Sequence, residues 1–254
     1  MNARAKNAGK TADILWGLAG AILLVVIWEG SVRLFQLPAY VLPGISEILK
    51  SVVDQQSTLI DAAWITFMEA LGGYVIGSVG GILLAVLLTL QPTLKRWCLP
   101  AASAINSVPV VAYAPLILLW CGMGMESKIV MASLAVGFTV FLSAMTGLDQ
   151  ANQKSIDLLR SFGASKLALI WRLRLPAALP LIASAMRVST TRSIIVAIVT
   201  EMLGAYGGLG WVIYQAVLQI DFVQVWSAIF VASAISLAFF GVVSAAEKKV
   251  IFWK

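Results

Sequence analysis

The chain has 254 residues, 60% of them hydrophobic and 12% charged, with a net charge of +6 and a mean hydropathy of +0.93. A soluble domain carries about 25% charged residues, so a single water-soluble core is excluded and lipid must solvate part of the chain. The basic residues gather between apolar runs and are not interleaved with aromatics, which argues for membrane orientation and against a nucleic-acid groove.

Residues 2–12 are polar and carry Arg4, Lys6 and Lys10. The apolar run after them is long enough to span and has no small-residue cleavage pattern, so it reads as a first transmembrane helix, not a secretory signal. A bilayer core needs about 20 apolar residues in a helix. On that ruler, spans are predicted at residues 14–32, 62–90, 100–120, 129–148, 178–203 and 222–244. Between the first two, Ile45, Ile48, Leu49, Val52 and Val53 recur at helical spacing and predict a short amphipathic helix lying along the surface. Gly72, Gly73, Gly77, Gly80 and Gly81 crowd the second span and predict close helix packing.

The charges orient these spans. Alternate loops hold Arg4, Lys6 and Lys10; Lys95 and Arg96; Lys154, Arg160, Lys166, Arg172 and Arg174; and Lys248, Lys249 and Lys254. The opposite side holds Arg33, Lys50 and Lys128. This bias predicts an all-α membrane protein of about six transmembrane helices with both termini cytoplasmic. No internal repeat is visible, so residues 1–254 read as one domain.

The chain has no histidine and no Cys-x-x-Cys, so transition-metal and histidine-based catalytic sites are not expected. A straight helix between Cys98 and Cys121 would hold them about 34 Å apart. That excludes a disulfide and leaves both as small apolar fillers.

The cytoplasmic loop between spans four and five, residues 149–176, is the most informative segment. Ile156, Leu159 and Phe162 recur every three residues, and Gly163 follows as a helix terminator. Ser165 can cap a second short helix carrying Leu167, Leu169 and Ile170, which Leu175-Pro176 should end. One side of this helix–glycine–helix unit is apolar, and the other presents Lys154, Asp157 and Lys166. Such a surface suits either a partner's groove or lipid headgroups.

In this loop Asp157-Leu158-Leu159 is followed by Gly163, Leu173 and Leu175-Pro176. The order resembles the EAA loop of bacterial ABC importer permeases, with Asp-Leu-Leu in place of Glu-Ala-Ala. The resemblance extends to Ser107-Val108-Pro109 through Ala114-Pro115-Leu116 and Trp120, and to Ser127-Lys128-Ile129. Arg187, Glu201-Met202-Leu203-Gly204-Ala205 and Gly208-Leu209-Gly210 extend it further. Together these are similar to the nitrate, sulfonate and taurine permease group. The resemblance implies a permease subunit of the bacterial inner membrane that pairs with a second copy, two cytoplasmic ATPase subunits and an extracytoplasmic binding protein. It implies an ATPase interface at Asp157, Leu158, Leu159, Gly163, Ala164, Ser165, Lys166, Leu175 and Pro176. The solute would be a small anion such as a sulfonate, taurine or nitrate, with a pyrimidine-type vitamin precursor as the alternative. The chain has no Gly-x-x-x-x-Gly-Lys-Ser/Thr loop, so it binds no cofactor of its own, and ATP and Mg belong to the partner ATPase.

Four charges fall inside spans and are pathway candidates: Glu69, Arg187, Arg192 and Glu201. A charge within the bilayer faces the bundle interior, water or a partner. Arg187 fits the resemblance and reads as structural. Arg192 is expected to face the pathway and attract an anionic group, or to pair with Glu69. Glu201 reads as an outer-gate or rim carboxylate just before a glycine-rich turn at residues 204–210. A membrane-embedded enzyme would need polar catalytic groups clustered at one face, and none is visible. A secondary transporter would commonly show repeats.

Overall fold

The computed structural model describes the backbone of residues 3–251, with side chains from residue 16 onward except 18 and 250. The side chains of Arg4, Lys6 and Lys10, and Lys254, lie outside the described residues. Among the described residues the chain is all helical. In order the helices are α1 (Ala3–Leu34), α2 (Ile45–Asp54), α3 (Gln56–Leu90), α4 (Pro92–Asn106), α5 (Ala114–Cys121) and α6 (Met125–Asp149). Then come α7 (Gln153–Ser161), α8 (Lys166–Leu169), α9 (Leu175–Leu203), α10 (Leu209–Leu218) and α11 (Phe222–Val250).

Among the described residues four helices are long and apolar enough to cross a membrane, or five when α4 and α5 count as one bent span. The predicted first span falls within α1. The predicted third span, residues 100–120, is not one straight helix: its two halves meet at 88°. Pro109 forces the break, since it lacks an N–H and restricts Val108 to extended backbone. A 3-10 turn over Val110–Tyr113 then leads into α5. The bend also removes the straight-helix distance between Cys98 and Cys121, which are both free thiols.

Two further corrections concern the second half of the chain. Leu175-Pro176 does not end the second helix of the loop. A π-helical turn over Ile170–Arg174 carries α8 into α9, and Lys166–Leu203 runs as one helix of 38 residues. The wider turn and the position of Pro176 in the first turn of α9 accommodate its missing N–H. Residues 204–210 read as a glycine-rich turn, but from Leu209 the chain enters α10, which buries Leu209, Val212, Ile213 and Ala216 on one face.

α3, α6 and α9 form the centre of the bundle. Ala70, Tyr74, Val136, Val140, Ile194, Ala197 and Phe239 build its middle layer, with Phe67 and Tyr74 edge-on to Phe239 at 5.5 and 5.1 Å. The predicted close packing is backbone on backbone. A Cβ on Gly77 would lie 2.5 Å from Ser133 O and 2.9 Å from Gly137 N, and one on Gly81 would lie 2.6 Å from Gly137 O. At this distance van der Waals contact replaces the hydrophobic effect, which lipid does not supply. The amphipathic α2 buries Ile45 and Ile48 and lies beside α11, where Ser227 donates to Ile48 O.

Gly77→Val should lower the unfolding stability of the detergent-solubilised protein by about 2 kcal/mol or more, because overpacking here meets backbone. Gly80, whose Cβ would meet nothing within 4 Å, should tolerate alanine to within about 0.5 kcal/mol. Thermal unfolding of both variants reads the difference.

Candidate functional site

Three groups of residues stand out, one at each end of the bundle and one in its middle. The first is the loop between α6 and α9. Asn152 caps α7, its side chain accepting from Lys154 N at 2.9 Å. The helix closes in a Schellman motif: Gly163 adopts φ +81, Ala164 N donates to Leu159 O and Gly163 N to Arg160 O. Ser165 caps the next helix by accepting from Ala168 N at 3.2 Å. Ile156, Leu169 and Ile170 are buried against the body. The expected apolar face of α7 is rearranged, however. Phe162 does not join Ile156 and Leu159; it is 79% exposed and stands beside Leu158, 58% exposed, one turn earlier. Trp171 and Leu167 are exposed as well. Asp157 and Lys166 are also exposed. Beneath the loop, Lys95 of α4 is paired with Asp149 of α6 at 2.6 Å at the wall of a cleft of 260 Å³ that Arg160, Lys166 and Arg174 also line.

The second group lies at the opposite end. The charge pattern places Lys128 with Arg33 and Lys50 on the side opposite the termini, yet it is fully buried. Its side chain runs back toward the start of α6, and Nζ donates to Met123 O (2.6 Å), Gly124 O (3.0 Å) and Gly204 O (2.6 Å). It therefore ties the α5–α6 turn to the end of α9. Glu201 is fully buried beside it. Its Oε1 accepts from Thr66 Oγ1 at 2.7 Å and its Oε2 from Gly210 N at 2.6 Å. Leu209 N donates to Thr66 Oγ1 at 2.8 Å. Glu201 and Thr66 thus supply acceptors to the first N–H groups of α10. Glu69 is buried against Glu201, and its Oε2 has no partner. So Glu201 is neither a rim nor an exposed gate residue in this conformation; it is an anchor for α10.

The third group is on α9. Arg187 pairs with Glu247 of α11 at 3.2 Å and lies 6.0 Å over the Phe240 ring. Arg192 does not pair with Glu69. Its Nη1 donates to Thr139 Oγ1 of α6 at 2.9 Å, at an exposed position. Thr139, Lys128 and Glu247 were not singled out as partners from the sequence. Nothing in local periodicity shows them, because each acts on a helix far away along the chain.

Lys128→Met should destabilise the protein by about 3 kcal/mol, since it orphans buried carbonyls on two segments. The loss is read as a lower thermal midpoint in detergent.

Residues 77–251 match the family described as "Binding-protein-dependent transport system inner membrane component". A probable ABC transporter permease protein of Haemophilus influenzae is 32% identical over 86% of this chain and 89% of its own length. The formylaminopyrimidine transport permease protein ThiX of Halalkalibacterium halodurans is 30% identical, covering 92% and 93%. The taurine transport system permease protein TauC of Escherichia coli is 27% identical, covering 77% and 74%. Among solved structures, inward-facing MetNI, a methionine ABC transporter, shares the fold with a TM-score of 0.62 at 19% identity, over 76% of this chain and 97% of that one. The apolar helices, the helix–glycine–helix loop and this similarity agree. The chain belongs to the family of inner membrane components of binding-protein-dependent transport systems, and it is a multi-pass transport subunit, not an enzyme.

Proposed function

We propose that this chain is one of two identical permease subunits of an ABC importer, with six spans and both termini cytoplasmic, and that residues 149–176 are its coupling element. The observation that carries this reading is the exposed apolar pair Leu158 and Phe162, presented on a helix whose other face is anchored by Ile156. A soluble cytoplasmic end has no reason to expose such a pair unless a partner covers it. Two cytoplasmic ATPase subunits are the partners. They bind ATP and Mg, and each receives one α7 with Asp157, Leu158, Leu159, Gly163, Ala164, Ser165 and Lys166 at or near the contact. Leu175 and Pro176 stand at the base, where the unbroken helix Lys166–Leu203 carries a movement of the docked loop directly into the membrane. An extracytoplasmic binding protein delivers the solute at the opposite end.

The solute is small and polar, with an oxyanion such as a sulfonate, taurine or nitrate as the first reading. The relative of the taurine system supports it. The second reading is a pyrimidine of the vitamin-precursor type, supported by the greater similarity to the formylaminopyrimidine permease.

Membranes of the native host are solubilised and the chain is purified by an affinity tag. A stoichiometric polypeptide with ATPase activity and a Gly-x-x-x-x-Gly-Lys-Ser/Thr loop is expected with the native chain. Leu158→Asp with Phe162→Asp, and separately Asp157→Asn with Gly163→Val, should reduce it by roughly tenfold or more, the equivalent of about 1.4 kcal/mol of lost docking energy. Native copurification that neither pair of changes affects would remove the coupling role from this loop. The absence of any ATPase with the native chain would favour a self-contained transporter.

A further inference from the structure

Arg192 sits near the middle of α9, and its side chain is exposed on the surface of the protomer. Among the described residues one hydrogen bond holds it: an N–H donates to Thr139 Oγ1, whose own hydroxyl donates to Ala135 O at 3.0 Å. No carboxylate pairs with it among the described residues, whereas Arg187 on the same helix has Glu247. A guanidinium at this depth is not stable against hydrocarbon, so it faces water or a partner.

The α6 side of its surroundings points to water. Along α6, Thr139, Ser143 and Thr146 recur at helical spacing and are half-buried or exposed. On α9 the neighbours are mixed: Val188 and Ile195, one turn to either side of Arg192, are exposed and apolar, and Thr191 lines an apolar groove with Ile195 and Leu237. The outward row of α3 is different in kind: Ile76, Val79, Leu83 and Leu87 are all at least half exposed and offer no polar atom. The α6 side of Arg192 therefore carries a row of hydroxyls that the outward row of α3 lacks.

We propose that Arg192 is the charge-selecting residue of the translocation pathway, and that Thr139 positions it. The solute it takes carries a single oxyanion, such as a sulfonate or carboxylate. The planar fork of Arg192 matches such a group, since among the described residues its other N–H groups donate to no acceptor. Thr139 fixes the side chain without neutralising it, which leaves its full charge to act on the passing solute. This rests on the chain being a translocation subunit, but its test reads the pathway and does not involve the coupling loop.

In a Cys98→Ser, Cys121→Ser background, Ser143→Cys, one turn from Thr139 on α6, is probed in native membranes with the partners present, using both right-side-out and inverted vesicles. The probes are the anionic sulfonatoethyl and the cationic trimethylammonioethyl methanethiosulfonates, each rate normalised to that with a small thiol in solution. The lipid-facing control is Leu83→Cys. Ser143→Cys should react while Leu83→Cys does not, with the anionic probe favoured roughly tenfold by the nearby charge. Arg192→Gln should abolish this preference and Arg192→Lys should retain it. A Ser143→Cys as inert as Leu83→Cys from both sides would overturn the proposal, because the face that Arg192 shares with Thr139 would then not be wet. Reaction with no preference, or a preference indifferent to Arg192→Gln, would overturn the selecting role while leaving a wet pathway. Loss of the ATPase in the copurification above would leave the labelling result standing, so the two failures are distinguishable.

Discussion

α3 and α6 touch through their backbones, and the rest of the bundle is arranged around that contact. Gly77 and Gly81 face Ser133 and Gly137 with no room for a Cβ. In lipid, apolar side chains gain little by leaving one apolar surroundings for another, so helix association depends on close van der Waals approach. Once α3 and α6 are locked in register, α9 has a defined groove. Met145, Leu148, Ala178 and Ile182 close it at one end, and Val136, Val140, Ile194 and Ala197 close it in the middle. Met131, Ala135 and Val196 join α5 to the same trio. The small residues in the centre and the bulky ones at the margin are two sides of one packing solution.

Helix ends are the second constraint, because their unpaired carbonyl and N–H groups find no water at depth. The end of the bundle at Lys128 answers this with side chains. Lys128 supplies donors to the carbonyls of Met123, Gly124 and Gly204, while Glu201 and Thr66 supply acceptors to Leu209 and Gly210. Opposite charges placed at opposite kinds of helix terminus turn a liability into a clasp. That clasp joins α3, α6, α9 and α10, which places the loop after α9 under the control of four helices. The other end of the bundle is built differently. There the charges are exposed and lightly paired, such as Lys95 with Asp149, a kind of contact worth little on its own. One end consumes its polar groups in holding its own chain; the other leaves Asp157 and Lys166 exposed.

This difference decides what was legible in the sequence. The long spans are visible because length and hydropathy are local properties, and the loop punctuation at Gly163 and Ser165 is visible because capping is local too. The bend in the third span was hidden by composition: the segment stays apolar through Pro109 and Pro115, and only their steric demands reveal the 88° turn. α10 was hidden by the glycines before it, although Leu209, Val212, Ile213 and Ala216 follow the helical period. Lys128 was misplaced for a deeper reason. Its burial depends on the carbonyl of Gly204, which lies in another loop, and a hydropathy count assigns any charge near a span's edge to solvent. The same limit applies to Arg192, whose partner is chosen by the register of α9 against α6 and not by any motif.

Arg187 and Arg192 show how much that register matters. They lie on one helix in one apolar segment, and composition treats them alike. Five residues of separation rotate them about 140° apart around the axis, which is enough to give them different neighbours. Arg187 meets Glu247 and the face of Phe240, so its charge is spent inside the fold. Among the described residues Arg192 is hydrogen-bonded to a hydroxyl and no carboxylate. A threonine can orient a guanidinium, but it cannot cancel the charge, and the same geometry with an aspartate at residue 139 would have done so. The hydroxyl stripe of α6 makes the same choice along its length: it offers hydrogen bonds without fixed charge. As the pathway surface proposed above, it would recognise a solute at the waist and still let it leave. Strong pairing there would trap the solute, and pure hydrocarbon would reject it. One uncancelled charge among neutral hydroxyls lies between these limits.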